Sequence, residues 1–234
     1  LDPFLLLDHF GSDDPADYLA GFPMHPHRGI ETVTYMLAGR VFHRDSLGNS
    51  GILQAGDVQW MTAGGGILHE EMPQAVEGKM YGFQLWVNLP ARHKRMQPRY
   101  QEIASARIPE VKRGDGARIR VIAGTVDGIR GPVTEIVADP TYLDVSLPPD
   151  ELFTIPVERG HSAFAYLFGS QEGQAVFEPD GQMLRPLKMV IFADGDEVAL
   201  AGGVAGTGAV RRIAAADQHG LAAQQTRCVV LADA

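Results

Sequence analysis

Short apolar runs punctuated by glycine and proline fill the chain, and few stretches keep a 3.6-residue period. Such a pattern predicts an all-β sandwich or barrel of short strands. Only "DDPADYLAGF" and "AAADQHGLAAQQ" read as minor helices. A composition shift over 98–116, "PRYQEIASARIPEVKRGDG", marks a crossing between two halves. The halves echo one another: "TYMLAG" with "ILQAGDVQWMTAG" in the first, "AYLFGS" with "VIFADGDEVALAG" in the second. Duplication of one β-unit accounts for the echo.

Successive side chains of a strand point to opposite faces, so parity assigns residues to faces. In "MHPHRGIETVTYMLAG", residues 24–39, the odd positions are His25, His27, Gly29, Glu31, Val33, Tyr35 and Leu37. That face is polar at its start and apolar further on, as in a barrel with a polar mouth and an apolar floor. In "GGGILHEEMP", residues 64–73, the same count groups Ile67, His69 and Glu71 and sends Glu70 to the other side.

Two close pairs, His25/His27 and His69/Glu71, can converge on one divalent ion. Three imidazoles and a carboxylate fill four positions, and a six-coordinate ion keeps about two open for substrate or dioxygen. Nitrogen and oxygen donors without thiolate suit Fe(II), Mn, Ni, Cu or Zn. Fe(II) comes first because redox activity with open positions suits oxygen chemistry, and a closed structural zinc site would normally use cysteine. The bland alternative makes His25 and His27 surface residues and His69/Glu71 a hydrogen-bonded couple. Two same-face pairs beside glycines outweigh it. Glu31, counted on the same face, reads as a fifth ligand, a partner that orients an imidazole from behind or a core carboxylate tied to the backbone, with the second preferred.

Composition narrows the setting. The chain has 234 residues, 45% hydrophobic and 21% charged, as in an ordinary globular protein. A net charge of −9 argues against direct nucleic-acid binding, which needs basic surface, but leaves a protein partner open. The one cysteine, Cys228, makes no internal disulfide. No apolar run approaches the roughly 20 residues that cross a bilayer, and "LDPFLLLDHF" lacks the features of a leader. A cytoplasmic protein without membrane contact is expected.

"HPHRGIETVTYMLAG" resembles the first cupin motif, and "QWMTAGGGILHEEMP" followed by "GFQLWVNLP" resembles the pirin branch of the cupin superfamily. "LDPFLLLDHFG" and "GRVFHRDSLGNSG" are also similar to pirin; the second half is so more diffusely. The motif "AGGGILH" lacks the proline of the general cupin form, as pirins do. The resemblance implies an all-β bicupin, two jelly-roll-like cupin barrels packed face to face with few short helices. It implies a metal-binding cupin over 1–115 and a degenerate cupin without metal over 116–234. The family's ligand positions fall on His25, His27, His69 and Glu71. Pirins also carry a final segment beyond the point where this chain stops, at "CVVLADA".

The implied activity is quercetin 2,3-dioxygenation of a flavonol by O2, with Glu71 as ligand and catalytic base and Arg28 or Gln84 steadying the substrate. Phe22, Met24, Met61, Met72, Trp60 and Trp86 surround the motifs; several of them are candidates to line a flat apolar cavity and most fit the core equally well, Trp86 above all. A different class is also implied: a redox-responsive metal-binding regulator that binds a transcription factor or a metabolic enzyme. A sugar-isomerase or storage cupin shares only the fold. In the second half, aligning Tyr166 with Tyr35 puts Pro156 and Glu158 at the positions of His25 and His27. Aligning Gly195 with Gly56 puts Gly208 at that of His69. His161 stands alone, so no second site is expected and this half serves packing, cleft shape or partner contact.

Overall fold

The computed structural model describes residues 1–75, 78–114, 116–148, 151–169, 176–177, 183–184, 187–202 and 226–232. Strands dominate. The first expected helix forms as one short turn, α1 (Pro15–Tyr18): the Asp14 side chain accepts from the Ala16 N–H at 2.9 Å and Pro15 occupies the first turn, where its missing donor costs nothing. The second, at 214–225, lies outside the described residues. No helix among the described residues is long and apolar enough to cross a membrane.

The chain forms two compact units, Leu1–Ile108 with Pro132–Asp139, and Pro109–Gly131 with Pro140–Ala234. Unit 1 contains β1 (Phe4–Ser12), β2 (Phe22–His27), β3 (Ile30–Ala38), β4 (Arg40–Asp45), β5 (Ser50–Gln54), β6 (Val58–Thr62), β7 (Ile67–Gln74), β8 (Met80–Asn88) and β9 (Arg99–Ile103). They make a five-stranded sheet, β1-β8-β3-β6-β9, and a four-stranded sheet, β2-β7-β4-β5. These are open sheets facing one another in the jelly-roll manner of a cupin, joined across the interior by side-chain hydrogen bonds.

Between β2 and β3 the chain changes sheet. Gly29 makes the step with φ +69°, a conformation that an L side chain adopts only with strain, and its N–H donates to the Gly64 carbonyl at 2.8 Å. The parity count through residues 25–37 therefore breaks at Gly29. On β3 the even residues Thr32 and Thr34 face the interior, and Glu31, Val33 and Tyr35 face away. Residues 31–36 of β3 are buried on both faces, so hydropathy alone could not show which face was inward.

Unit 2 contains β10 (Glu110–Lys112), β11 (Arg118–Ala123), β12 (Thr125–Val126), β13 (Ile129–Arg130), β14 (Thr141–Leu147), β15 (Leu152–Pro156), β16 (Ala163–Gly169), β17 (Val176–Phe177), β18 (Met183–Leu184), β19 (Lys188–Ile191), β20 (Glu197–Gly202) and β21 (Thr226–Ala232). Its main sheets are β10-β11-β14-β21-β16-β19 and β15-β20-β17-β18. The duplication is visible in the pairings: β16 lies between β21 and β19 as β3 lies between β8 and β6, and β20 pairs with β15 as β7 pairs with β2. That topology corrects the alignment of Gly195 with Gly56. "VIFADGDEVALAG" spans the end of β19 and β20, whereas "ILQAGDVQWMTAG" spans β5 and β6, one strand out of step. The strand equivalent to β7 is β20, and Gly208 lies outside the described residues.

Candidate metal centre

Interior side chains of unit 1 stack in layers set by strand register. The middle layer of the five-stranded sheet is one cross-strand row, Asp8–Gln84–Thr34–Gln59–Glu102. The facing row on the other sheet is Phe22–Glu71–His43–Gly51. One layer along, His25 pairs with His69 and His69 with Asp45. The two-residue strand period thus puts Glu71 next to His69 on one face, as the sequence count required.

The donor atoms of His25, His27 and His69 all lie within 4.8 Å of one another. The Nε2 atoms of His25 and His27 are 3.1 Å apart, and the His69 ring centroid is 4.4 Å from that of His25 and 5.0 Å from that of His27. His25 Nδ1–H donates to the Pro23 carbonyl at 2.9 Å, which turns its Nε2 lone pair toward the cluster. His69 is 1% exposed, and among the described residues neither of its ring nitrogens has a hydrogen-bond partner. Leaving such a group unpaired costs roughly 1–3 kcal/mol, a cost that an ion between the rings removes. Burial, then the neighbouring imidazoles, lowers His27 to about 4; burial, then His25 and His43, does the same for His69. Both rings are therefore neutral near pH 7, the form that ligates metal. Three nitrogens without thiolate fit Fe, Mn, Ni, Cu or Zn.

Glu71 is buried beside this triad but outside the 4.8 Å set. Its Oε1 accepts from the Thr34 hydroxyl and its Oε2 from the Gln84 amide, both at 2.9 Å. Gln84 Oε1 in turn accepts from the Trp86 indole at 3.1 Å, and the Trp86 ring lies 5.2 Å from that of His27. On its other side Glu71 lines a small open cleft with Asp8, Phe10, Phe22, Thr34, Val41, Pro73, Met80 and Gln84.

Several expected roles move. Glu31 points away from the histidines and accepts from the Thr62 hydroxyl at 2.7 Å, and burial pushes its carboxyl up. Arg28 is exposed, and Gln84 is committed to Glu71 and Trp86. Of the six apolar candidates for the cavity wall, Phe22 lines the cleft beside Glu71. Met24 is exposed, Trp60 shares the outward face of Val33, Met72 shares the outward face of Phe42, and Met61 packs with Ala63, Ile67 and Tyr100.

His43 escaped the sequence reading. It is 1% exposed and stands opposite Glu71; Tyr100 and Glu102 hydrogen-bond its two nitrogens. Burial lowers its pKa against the opposing pull of Glu102, whose carboxylate accepts from Nε2–H. Glu102 reaches it by passing Gly51, where a Cβ would stand 2.7 Å from His43 Nε2. The group clasps the β9 and β5 edges of the two sheets. Alternation of Val41, His43 and Asp45 on β4 was the available signal.

Two facing open sheets with histidines converging on one face define a cupin with a candidate metal centre in its first unit. The pirin family model matches residues 1–87. A pirin-like protein from Caulobacter vibrioides is 49% identical over 168 residues, 71% of this chain and 61% of that protein. A Pseudomonas aeruginosa protein provisionally named a quercetin 2,3-dioxygenase is 48% identical over 171 residues, 71% of this chain and 60% of its own length. The chain thus spans about 60% of the length of these relatives. The crystal structure of quercetin 2,3-dioxygenase from Acinetobacter baumannii superposes with a TM-score of 0.79 at 32% identity, covering 99% of this chain and 74% of that one. The chain belongs to the pirin family.

Proposed function

We propose that the chain is a mononuclear metal-dependent dioxygenase acting on flavonols, with the reaction type of a quercetin 2,3-dioxygenase. One ion, Fe(II) first among the divalent candidates, is held in unit 1 by His25, His27, His69 and Glu71, and none in unit 2. The observation that carries this reading is His69, a buried ring with two unpartnered nitrogens facing two further imidazoles, beside a carboxylate that opens on an apolar-walled cavity. The names of the Pseudomonas and Acinetobacter proteins support the substrate class.

When bound, the ion supplies Lewis acidity toward the flavonol 3-hydroxyl and 4-carbonyl and redox access to dioxygen. The chain does the rest. Phe10, Phe22, Val41 and Met80 give apolar walls to the cleft on which Glu71 opens. Thr34 and Gln84 bind opposite oxygens of Glu71 and so fix the carboxylate plane. Each oxygen keeps a lone pair, and Oε2 takes the 3-hydroxyl proton of the flavonol. Reaction with dioxygen then opens the heterocycle and releases carbon monoxide.

Anaerobic reconstitution with Fe(II), addition of quercetin and admission of oxygen test the reading through loss of flavonol absorbance. Turnover in the wild type and a loss of about 100-fold or more in His69→Ala are expected. No turnover, or equal rates in the two proteins, would overturn it.

A further inference from the structure

The polar row that crosses unit 1 begins at Asp8 on the edge strand β1. Asp8 lines the same cavity as Glu71 and stands directly across from Gln84. The other polar groups of that cavity are already engaged: Thr34 and Gln84 donate to Glu71, and the Gln84 carbonyl accepts from Trp86. Among the described residues no hydrogen-bond donor reaches the Asp8 carboxylate. Its charge is felt by the adjacent His9, whose ring stacks on Phe83 at 4.6 Å on the other face of the strand. The cavity lining therefore contains two carboxylates, Asp8 and Glu71, and no cationic side chain. Beside Asp8 the cleft is lined by Phe10 and by Phe22, which is 51% exposed. A ligand entering here slides between apolar surfaces and meets one uncommitted acceptor.

We propose that Asp8 is a specificity-determining residue of this site: its carboxylate accepts hydrogen bonds from vicinal hydroxyls on the far ring of a flat aromatic ligand whose reacting end lies at Glu71. This inference rests on the flavonol reading of unit 1 and adds its selectivity. A carboxylate bound by two hydroxyl donors makes charge-assisted bonds, about twice as strong as neutral ones. Asp8 is exposed at the mouth, so the discrimination is a matter of about tenfold rather than the 10⁴ that a sealed site achieves. The same charge, with Glu71 behind it, disfavours anionic ligands such as sulfated flavonols.

Equilibrium binding to the Zn(II)-substituted protein, followed by quenching of tryptophan fluorescence, separates selectivity from turnover. Quercetin carries the vicinal hydroxyl pair, galangin lacks it, and a quercetin 3′-sulfate adds negative charge. Wild type is expected to bind quercetin about tenfold more tightly than galangin and to bind the sulfate weakest. Asp8→Asn, isosteric and on an exposed edge, is expected to cut the quercetin-to-galangin ratio to about threefold or less, to leave galangin binding within about twofold and to strengthen binding of the sulfate. A ratio unchanged in Asp8→Asn overturns the inference while the dioxygenase reading stands. If wild type binds no flavonol at all, both fall together.

Discussion

The interiors of the two units, built on the same strand order, could hardly differ more in chemistry. The stretch Asp8–Gln84–Thr34–Gln59 of the unit 1 row, on β1, β8, β3 and β6, has as its counterpart in unit 2 the stretch Leu143–Val230–Ala165–Val190, on β14, β21, β16 and β19. Where His25 faces His69 across β2 and β7, Ile155 faces Val198 across β15 and β20; where Phe22 faces Glu71, Phe153 faces Leu200. The unit 2 residues join one buried apolar cluster. A cupin scaffold therefore does not need a polar interior to fold. The polar layer of unit 1 is chemistry beyond what this fold requires.

The comparison breaks most sharply at the metal. Wild type is expected to take up about one ion per chain on reconstitution, and His69→Ala less than about a tenth of that, because two remaining imidazoles and a displaced carboxylate hold divalent ions weakly. Metal analysis after gel filtration decides it. Equal loading of the two proteins would move the site out of unit 1.

Acid should act on unit 1 in the same sense. His27 and His69 are held at about 4 in the folded protein against 6.5 in the unfolded chain. Between those values the unfolded state binds the extra protons, so stability falls as pH drops through that window and is unaffected by these groups above it. The urea midpoint of the metal-free protein is expected to be lower at about pH 5 than at about pH 7, and the drop to shrink in a His27→Gln/His69→Gln variant. An undiminished drop would assign the acid sensitivity elsewhere.

Copying the chemistry of unit 1 into unit 2 should fail. Ile155→His introduces an imidazole among Phe153, Val198 and Leu200, with no partner for either nitrogen, and is expected to cost roughly 2–4 kcal/mol in a urea melt. At the far edge of unit 1, Gly51→Ala pushes a methyl between Glu102 and His43 and is expected to cost about 1–3 kcal/mol by parting the clasp. Glu102→Gln keeps the shape of the clasp and should cost less. A larger loss from Glu102→Gln would show that charge, and not the bridging of two edges, is what matters there.

Part of this organisation was legible in the chain. The strand-rich class was legible in the short punctuated runs, the duplication in the echo around Tyr35 and Tyr166 on the equivalent strands β3 and β16, and the pairs His25/His27 and His69/Glu71 because β2 and β7 are local segments with a two-residue period. Glu31 was misplaced because one glycine, Gly29, carries the chain from one sheet to the other and resets parity. The clasp was hidden for another reason. Tyr100 and Glu102 lie in the stretch read as a crossing, which contains β9, and their partner His43 is more than fifty residues away. Cross-strand register is a long-range property, so the row from Asp8 to Glu102 has no local signature.

The smallest expected effect concerns the middle of that row. Gln59 is 1% exposed, and among the described residues neither its amide nitrogen nor its oxygen has a partner. Its counterpart in unit 2 is Val190, which packs in the apolar cluster. Gln59→Met keeps the side-chain length while removing two desolvated polar atoms, so it should stabilise the protein by about 1 kcal/mol and raise Tm by a few degrees without altering metal content. A fall in Tm would mean that buried water satisfies the amide. The row would then be a hydrated track running from the cavity to the clasp, and unit 1 would differ from unit 2 in holding solvent as well as charge.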